Sequence, residues 1–315
     1  MIAASVVIPT YNAQAFIEET LASVFSQTVL PAEILVVDDC SPDNTRDVLA
    51  KIAKEAPVPV RVVALPKNNG GPSRPYNVGI EIAKHDLILL LDQDDLMYPK
   101  RVELQAATLT ECPQCTVAIG RFSIIGCSPD DLSLLWTVSQ FEEFREHLDE
   151  QAGFSVLDSN IAFPPLLKRN YSGSCSNFAF SRTRWREFGG FFDEKAAICN
   201  DLDAILRAAA AGPIAIVNER LFQYRWSPHS LFRRDLTRSL LDATMVRLRA
   251  ASAHPDLAGE ELHALRYTAL TLASAVLRKG DFGGMRTIAE TMILHRGTSV
   301  VTKSIDKRIR KRQAR

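Results

Sequence analysis

The stretch "DLILLLDQDDLMYP", residues 86–99, sets five aliphatic residues, Leu87 to Leu91, directly against Asp92, Asp94 and Asp95. An unbroken aliphatic run too short for a helix of its own reads as a strand covered on both faces. Similar runs stand upstream, in "SVVIPT" (5–10), "EILVVDD" (33–39) and "VRVVAL" (60–65). Between them lie helical patterns. "AFIEETLASVFSQ" places Phe16, Ile17, Leu21, Val24 and Phe25 at helical spacing, a segment opened by Ser41 and Pro42 carries Val48, Leu49 and Ile52, and "NVGIEIAKH" follows. Buried strands alternating with helices predict an α/β fold with a Rossmann-like, mostly parallel central sheet flanked by helices. Such sheets bind ligands beyond the carboxyl ends of their strands. Thr10 and Tyr11, Asp38 and Asp39, and Asp92, Asp94 and Asp95 are thereby expected on one rim.

Carboxylates crowded at a rim repel one another unless a cation or a donor-rich ligand lies among them. Oxygen donors of this kind suit Mg2+ or Mn2+, which usually shares one or two carboxylates with a diphosphate. The competing role is to cap a helix begun by "LMYPKRVELQAATL" (96–109). One aspartate is enough for a cap, and three ask for more.

Composition sets the frame. The chain has 315 residues, 46% apolar and 23% charged, which fits a globular protein with a sizeable core. The apolar run near the start lacks a basic flank, and no run reaches the roughly 18 apolar residues of a membrane span, so a cytoplasmic location is expected. Cys40, Cys112, Cys115, Cys127, Cys175 and Cys199 are scattered, unlike a secreted disulfide framework. "CPQC" (112–115) has no second CxxC and no HxxxH to complete a zinc site, and is read as structural thiols. Net charge is zero, yet seven of the 37 Lys and Arg residues and only one of the 37 Asp and Glu residues fall in "KSIDKRIRKRQAR" (303–315). That basic tail is either a solvated terminus or a peripheral contact with anionic lipid at the inner face of the membrane; no nucleic-acid partner is expected.

The middle of the chain is less regular. "TVAIGRFSII" and "SNFAFSR" read as strands, "WREFGGFFDE" as a turn, "NDLDAILRAAAAG" as a helix, and "PIAIVN" and "LFQYRW" as two short strands, with Trp226 and Tyr224 in the core. Beyond Pro228 helices are expected over 235–251, 259–279 and 282–295. The resulting division is a domain over 1–228, with a nucleotide-binding half at about 1–115 and an acceptor half at about 116–228, followed by an α-helical appendage with the basic tail over 229–315.

Six motifs in order, "VVIPTYNAQAFIEETLASVFSQT", "ILVVDDCSPDNT", "NNGGPSRPYNVGI", "LLLDQDDLMYPKRVELQ", "GGFFDE" and "NDLDAILRAAAAG", give residues 3–226 a resemblance to family 2 glycosyltransferases of GT-A fold. The resemblance implies an inverting transfer of a sugar from a nucleotide-diphosphate sugar, a UDP-sugar being favoured, to a glycan or glycolipid acceptor in cell-surface polysaccharide synthesis. It places Thr10 and Tyr11 beside the base, Asp38 or Asp39 on the base edge or ribose, Asp92 near the ribose, Asp94 on the metal with Asp95 beside it, and Asp201 as general base. Two departures stand out. Asn200 occupies a position usually acidic, which by itself would leave Asp201 under less like charge and a weaker base. Tyr76 stands where Arg is usual, with Arg74, two residues earlier along a segment read as extended, as a substitute cation. His229, after the last strand, is a candidate metal or phosphate contact. "SGSCSN" (172–177), Trp185 and "GGFFDE" are expected to frame the acceptor site.

Two other readings compete. A nucleotidyltransferase would need a glycine-rich, cationic phosphate loop after the first strand, and "PTYNAQAF" has neither glycine nor cation. An inert nucleotide-sugar-binding or scaffold subunit is compatible with the changes at Asn200 and Tyr76.

Overall fold

A computed structural model of the chain describes residues 2–127, 141–190, 192–194, 198–227, 236–262 and 265. The chain divides into two compact units, Met1–Arg234 and Asp235–Arg315. In the first, β1 (Ile2–Thr10), α1 (Ile17–Phe25), β2 (Pro31–Asp38), α2 (Thr45–Glu55), β3 (Val60–Ala64), α3 (Ser73–Ile82) and β4 (Leu87–Leu90) alternate as the sequence leads one to expect. Strands β1, β2, β3 and β4 are parallel, with Val6 opposite Ile34 on one side and Leu89 on the other. The aliphatic residues in the middle of β1, β2 and β4 are fully buried because α1 and α2 cover one face while α3 and α4 (Arg101–Glu111) take up places against the same sheet, whereas edge strand β3 leaves Val62 exposed.

Two boundaries move. Helix α2 starts at Thr45 rather than at Pro42, because Asp43 accepts hydrogen bonds from Thr45 N (3.1 Å) and Thr45 Oγ1 (2.6 Å), while Ser41 is turned back onto Asp38. Helix α3 starts at Ser73, so "PSRPYNVG" is helical and not extended. Pro75 sits in its first turn, where a missing N–H costs nothing. The helix lies so close to the sheet that a Cβ on Gly79 would come 2.3 Å from Val7 Cγ1.

The second half of the sheet is mixed. β5 (Leu96–Met97), β6 (Ala118–Ile125), β7 (Phe154–Leu157), β8 (Ala179–Ser181) and β9 (Ile214–Arg225) join with α5 (Ser159–Lys168), α6 (Arg182–Glu187) and α7 (Asn200–Ala211). The strand order is β3-β2-β1-β4-β8-β6-β9-β5, with β7 also on β9. Strand β8 is antiparallel to both β4 and β6, and β9 is parallel to β6. The two short strands expected at 213–226 are one: β9 bulges where the register with β6 jumps from Val217 to Arg220, which turns Glu219 and Arg220 out to solvent and resumes the ladder at Phe222.

In the second unit, α8 (Leu236–Ala253) and α9 (Pro255–Ala258) are described. The helices expected over 259–279 and 282–295 lie, apart from 259–262 and 265, outside the described residues, as do His229 and the basic tail. Among the described residues no helix is long and apolar enough to cross a membrane.

Candidate active site

Strand β4 gives its last sheet bond from Leu91 N to Val7 O (3.1 Å), and the chain then leaves the sheet through the acidic stretch. The acids do not cap the next helix: the residue before α4 is Lys100, and no side-chain cap is made. They divide their duties instead. Asp92 donates its backbone N–H to Ser176 Oγ (2.8 Å) and accepts from the buried Tyr76 hydroxyl at Oδ1 (2.8 Å). Gln93 turns toward β1, accepting from Tyr11 N (2.6 Å) and donating to Tyr11 O (3.1 Å). Asp94 is half-buried, and its carbonyl accepts from Arg225 Nε (2.8 Å), the guanidinium of which also pairs with Glu19 (2.6 Å). Asp95 is 1% exposed, with Oδ2 accepting from Ser176 Oγ (2.6 Å) and Ser174 Oγ (3.3 Å) and Oδ1 from Arg225 N (2.8 Å). The three expected neighbours at a cation therefore split: Asp95 faces inward to serines and a backbone N–H, and Asp94 keeps its carboxylate for the rim.

Electrostatics follows from this crowding. Burial raises the Asp92 carboxyl above the ordinary carboxylate range against the hydrogen bond from Tyr76. Burial and the Asp92 charge push Asp94 up to about 6. Burial and both neighbours raise Asp95 well above that range. Beneath them Arg101, fully buried, donates to Leu90 O (2.8 Å) and to Gln105 Oε1 (3.0 Å); desolvation pulls it down to about 9 while Asp95 and Asp92 hold it up.

Asp201 lies in the first turn of α7, where free backbone N–H groups favour a carboxylate. Leu202 N donates to its Oδ1 (2.8 Å) and Asn170 Nδ2 to its Oδ2 (2.7 Å). Its carboxyl is pushed up to about 6, chiefly by burial, with the Asp92 charge adding to the rise. Burial and a charge from a different strand thus raise the Asp201 carboxyl although its neighbour at 200 is an amide.

The remaining expected residues are placed as follows. Tyr11 is 45% exposed at the rim and Thr10 is buried at the end of β1. Asp38 is fully buried and accepts from Ser41 N (3.1 Å), and Asp39 accepts from Asn69 N (2.8 Å) and Asn69 Nδ2 (2.5 Å). Arg74 on α3 pairs with Glu194 (3.1 Å), and both line a cavity of about 80 Å³ with Asn69, Gly71 and Ser73. Trp185, expected at the acceptor, is instead 2% exposed, stacked on Phe180 with ring centroids 3.8 Å apart. Tyr224 and Trp226, expected in the core, are half-buried. Ser174 and Ser176 of "SGSCSN" belong to the acidic centre, a role that the sequence does not announce because their partners lie about 80 positions away. The parts of Asn170 and Arg101, and the bond from Tyr76 to Asp92, likewise rest on partners brought together by the fold.

Among the described residues no group of three or more His, Cys, Asp or Glu side chains could hold a metal by itself. The donor chemistry suits Mg2+ or Mn2+ bound through Asp94 together with diphosphate oxygens, the sharing that Mg2+ in particular favours.

With this geometry in place, comparison with known proteins is specific. The sequence profile of glycosyl transferase family 2 matches residues 5–164. The chain is 35% identical over 109 residues to the poly(ribitol-phosphate) beta-N-acetylglucosaminyltransferase TarS of Staphylococcus aureus, a stretch covering 34% of this chain and 19% of TarS. It is 27% identical over 233 residues to the glycosyltransferase GlyG of Streptococcus pneumoniae, covering 73% of this chain and 72% of GlyG. Crystal structures of S. aureus TarS 1–349 with UDP and with UDP-GlcNAc, 19% and 17% identical, each superpose with a TM-score of 0.59 over 93% of this chain and 92% of theirs. That likeness carries the GT-A fold, and the profile match carries the family: this chain belongs to glycosyl transferase family 2.

Proposed function

We propose that the chain transfers a sugar from a UDP-sugar to a hydroxyl of a cell-surface glycan or glycolipid acceptor, by a single displacement that inverts the anomeric carbon. The observation that carries this reading is the pairing of two acidic centres on one rim: Asp92 and Asp94 at the end of β4, and Asp201 at the start of α7, close enough that the Asp92 charge raises the Asp201 carboxyl. The TarS structures with UDP and UDP-GlcNAc support a uridine donor on this fold. Poly(ribitol-phosphate) in the TarS name supports a wall-polymer acceptor.

Each residue then has a part in the reaction. Tyr11, exposed and held by Gln93, offers a face for the base, and Asp39 and Asp92 offer acceptors to the base edge and ribose. Asp94 is the carboxylate through which a divalent cation would join the diphosphate; when bound, that cation takes up charge on the leaving UDP. Asp95 fixes Ser176 and Arg225 and through them the shape of the acidic loop. Asp201 takes the proton from the acceptor hydroxyl as its oxygen bonds to the anomeric carbon and the bond to the diphosphate breaks. A base held near pH 6 is ionised at neutral pH while still accepting a proton well.

The test is UDP release and product formation from UDP-GlcNAc, UDP-glucose, UDP-galactose and UDP-GalNAc with Mn2+ and a ribitol-phosphate or glycolipid acceptor. Wild type is expected to form product with the anomeric configuration inverted, Asp94→Ala to lose donor turnover, and Asp201→Asn to bind UDP normally with transfer lowered by at least about a hundredfold. Retention of configuration, or full transfer by Asp201→Asn, would sink the proposal.

A further inference from the structure

The loop between α5 and β8 holds Asp201 from outside its own helix. Asn170 Oδ1 accepts from both Ser172 N (3.1 Å) and Ser172 Oγ (2.6 Å). Two donors on that atom settle which end of the amide is oxygen, so the end turned to Asp201 Oδ2, 2.7 Å away, is the donating Nδ2. The loop that does this is itself fixed. Ser172 is fully buried and its carbonyl accepts from Asn177 Nδ2 (2.9 Å), which also donates to Gly120 O (2.8 Å). Gly173 follows with φ +77°, at a place where a Cβ would lie 2.6 Å from the Phe122 ring. Three residues further on, Ser176 holds both Asp95 and the backbone of Asp92. A single short loop therefore sets the Asp201 carboxylate in register with the acidic end of β4.

The second hydrogen bond on Asp201 comes from Leu202 N, the adjacent residue, and leaves the carboxylate free to turn with its own helix. Asn170 is the partner from outside the helix. An amide is also the right chemical group there, because the Asp92 charge already opposes ionisation of Asp201. An amide orients a carboxylate without neutralising it, whereas Lys or Arg in its place would bind the charge and weaken the base.

We propose that Asn170, clamped by Ser172, is a positioning residue that aims Asp201 at the acceptor hydroxyl. The inference rests on the reading of Asp201 as general base. Misorientation of a catalytic group by about 1 Å costs on the order of a hundredfold in rate, so Asn170→Ala is expected to lower kcat about tenfold to a hundredfold. KM for the UDP-sugar and the affinity for UDP are expected to stay within about twofold, because the donor half of the site is untouched. Ser172→Ala keeps Asn170 and only loosens it, so a smaller fall in kcat with the same unchanged donor KM is expected. It carries the test if Asn170→Ala does not fold. Asn170→Asp retains the acceptor for Ser172 but puts a like charge on Asp201, and is expected to be at least as damaging as Asn170→Ala. The measurement is steady-state transfer by the full chain with whichever of the four UDP-sugars wild type turns over fastest, alongside calorimetric binding of UDP. If Asp201→Asn loses transfer while Asn170→Ala and Ser172→Ala keep wild-type kcat, this inference alone fails. If Asp201→Asn retains transfer, the base assignment fails with it. A rise in donor KM at constant kcat would also overturn the positioning role.

Discussion

A carboxylate half-buried beside Asp92 holds its proton to a higher pH than one in water, and Asp201 can serve as a base only when that proton is gone. Its carboxyl is pushed up to about 6, so kcat/KM is expected to rise about tenfold per pH unit below about pH 6 and to level off above it. Recording the profile at saturating Mn2+ keeps Asp94, whose carboxyl also lies at about 6, ionised by its cation over most of the range. A limb near pH 4 would mean that the group losing its proton is an ordinary exposed carboxylate and not Asp201. The sequence places Asp201 at the start of a helix but shows only its chain neighbours, such as Asn200 and Asp203, and not what surrounds its carboxyl. The shift comes from burial and from a residue more than a hundred positions away.

Helix α4 shows how an element can hold an acidic rim in place from below. Arg101 spans from α4 to the carbonyls of Leu90 on β4 (2.8 Å) and Phe178 (3.4 Å), and Gln105 continues the bridge to Ala118 O (2.7 Å) and Asn177 O (2.8 Å). Arg101 and Gln105 together thus tie α4 to β4, to β6 and to the residues just before β8, and the cation places positive charge near Asp92 and Asp95. Arg101→Met would preserve most of the stem but leave those carboxylates buried with less compensation and take the Arg101 donor from the Leu90 carbonyl, while Phe178 O keeps the bond from Leu90 N. Unpairing buried charge typically costs about 3 to 5 kcal/mol, and a loss of that order is expected in urea unfolding; less than about 1 kcal/mol would show that the acids do not depend on it. At this scale legibility falls away along the chain. β1, β2 and β4 are readable because strands buried on both faces are aliphatic throughout. β9 is not, because Asn218, Glu219 and Arg220 interrupt its apolar pattern. The structure absorbs that interruption in a bulge, where Asn218 Nδ2 reaches Asp149 O (2.7 Å) and Ala152 O (2.6 Å). Local polarity that reads as a chain break is a tertiary contact. The start of α3 misleads in the same way, since Pro75 suggests extension unless the first helical turn is recognised as its site.

At the scale of the whole molecule, the acidic loop is an energetic cost that ligand binding is suited to offset. The Asp92 charge raises Asp94, and both raise Asp95, and the folded chain carries that repulsion with Arg101 and Arg225 as its near cations. A cation together with UDP adds positive charge where the repulsion is greatest, so the two are expected to stabilise the fold jointly and not additively. Binding at a hundred times Kd contributes about 2.7 kcal/mol, and for a unit the size of Met1–Arg234 each kcal/mol moves Tm by about 2 to 4 °C. Thermal unfolding of wild type is therefore expected to rise by at least about 5 °C with saturating UDP and Mn2+, and by clearly less with UDP alone. Asp94→Ala removes one source of repulsion, so its Tm without ligand is expected to be no lower than that of wild type, yet the increment from Mn2+ should vanish. Equal increments in both proteins would place the cation elsewhere than on the stretch 92–95, and a lower unliganded Tm for the variant would show that Asp94 stabilises the fold on its own account.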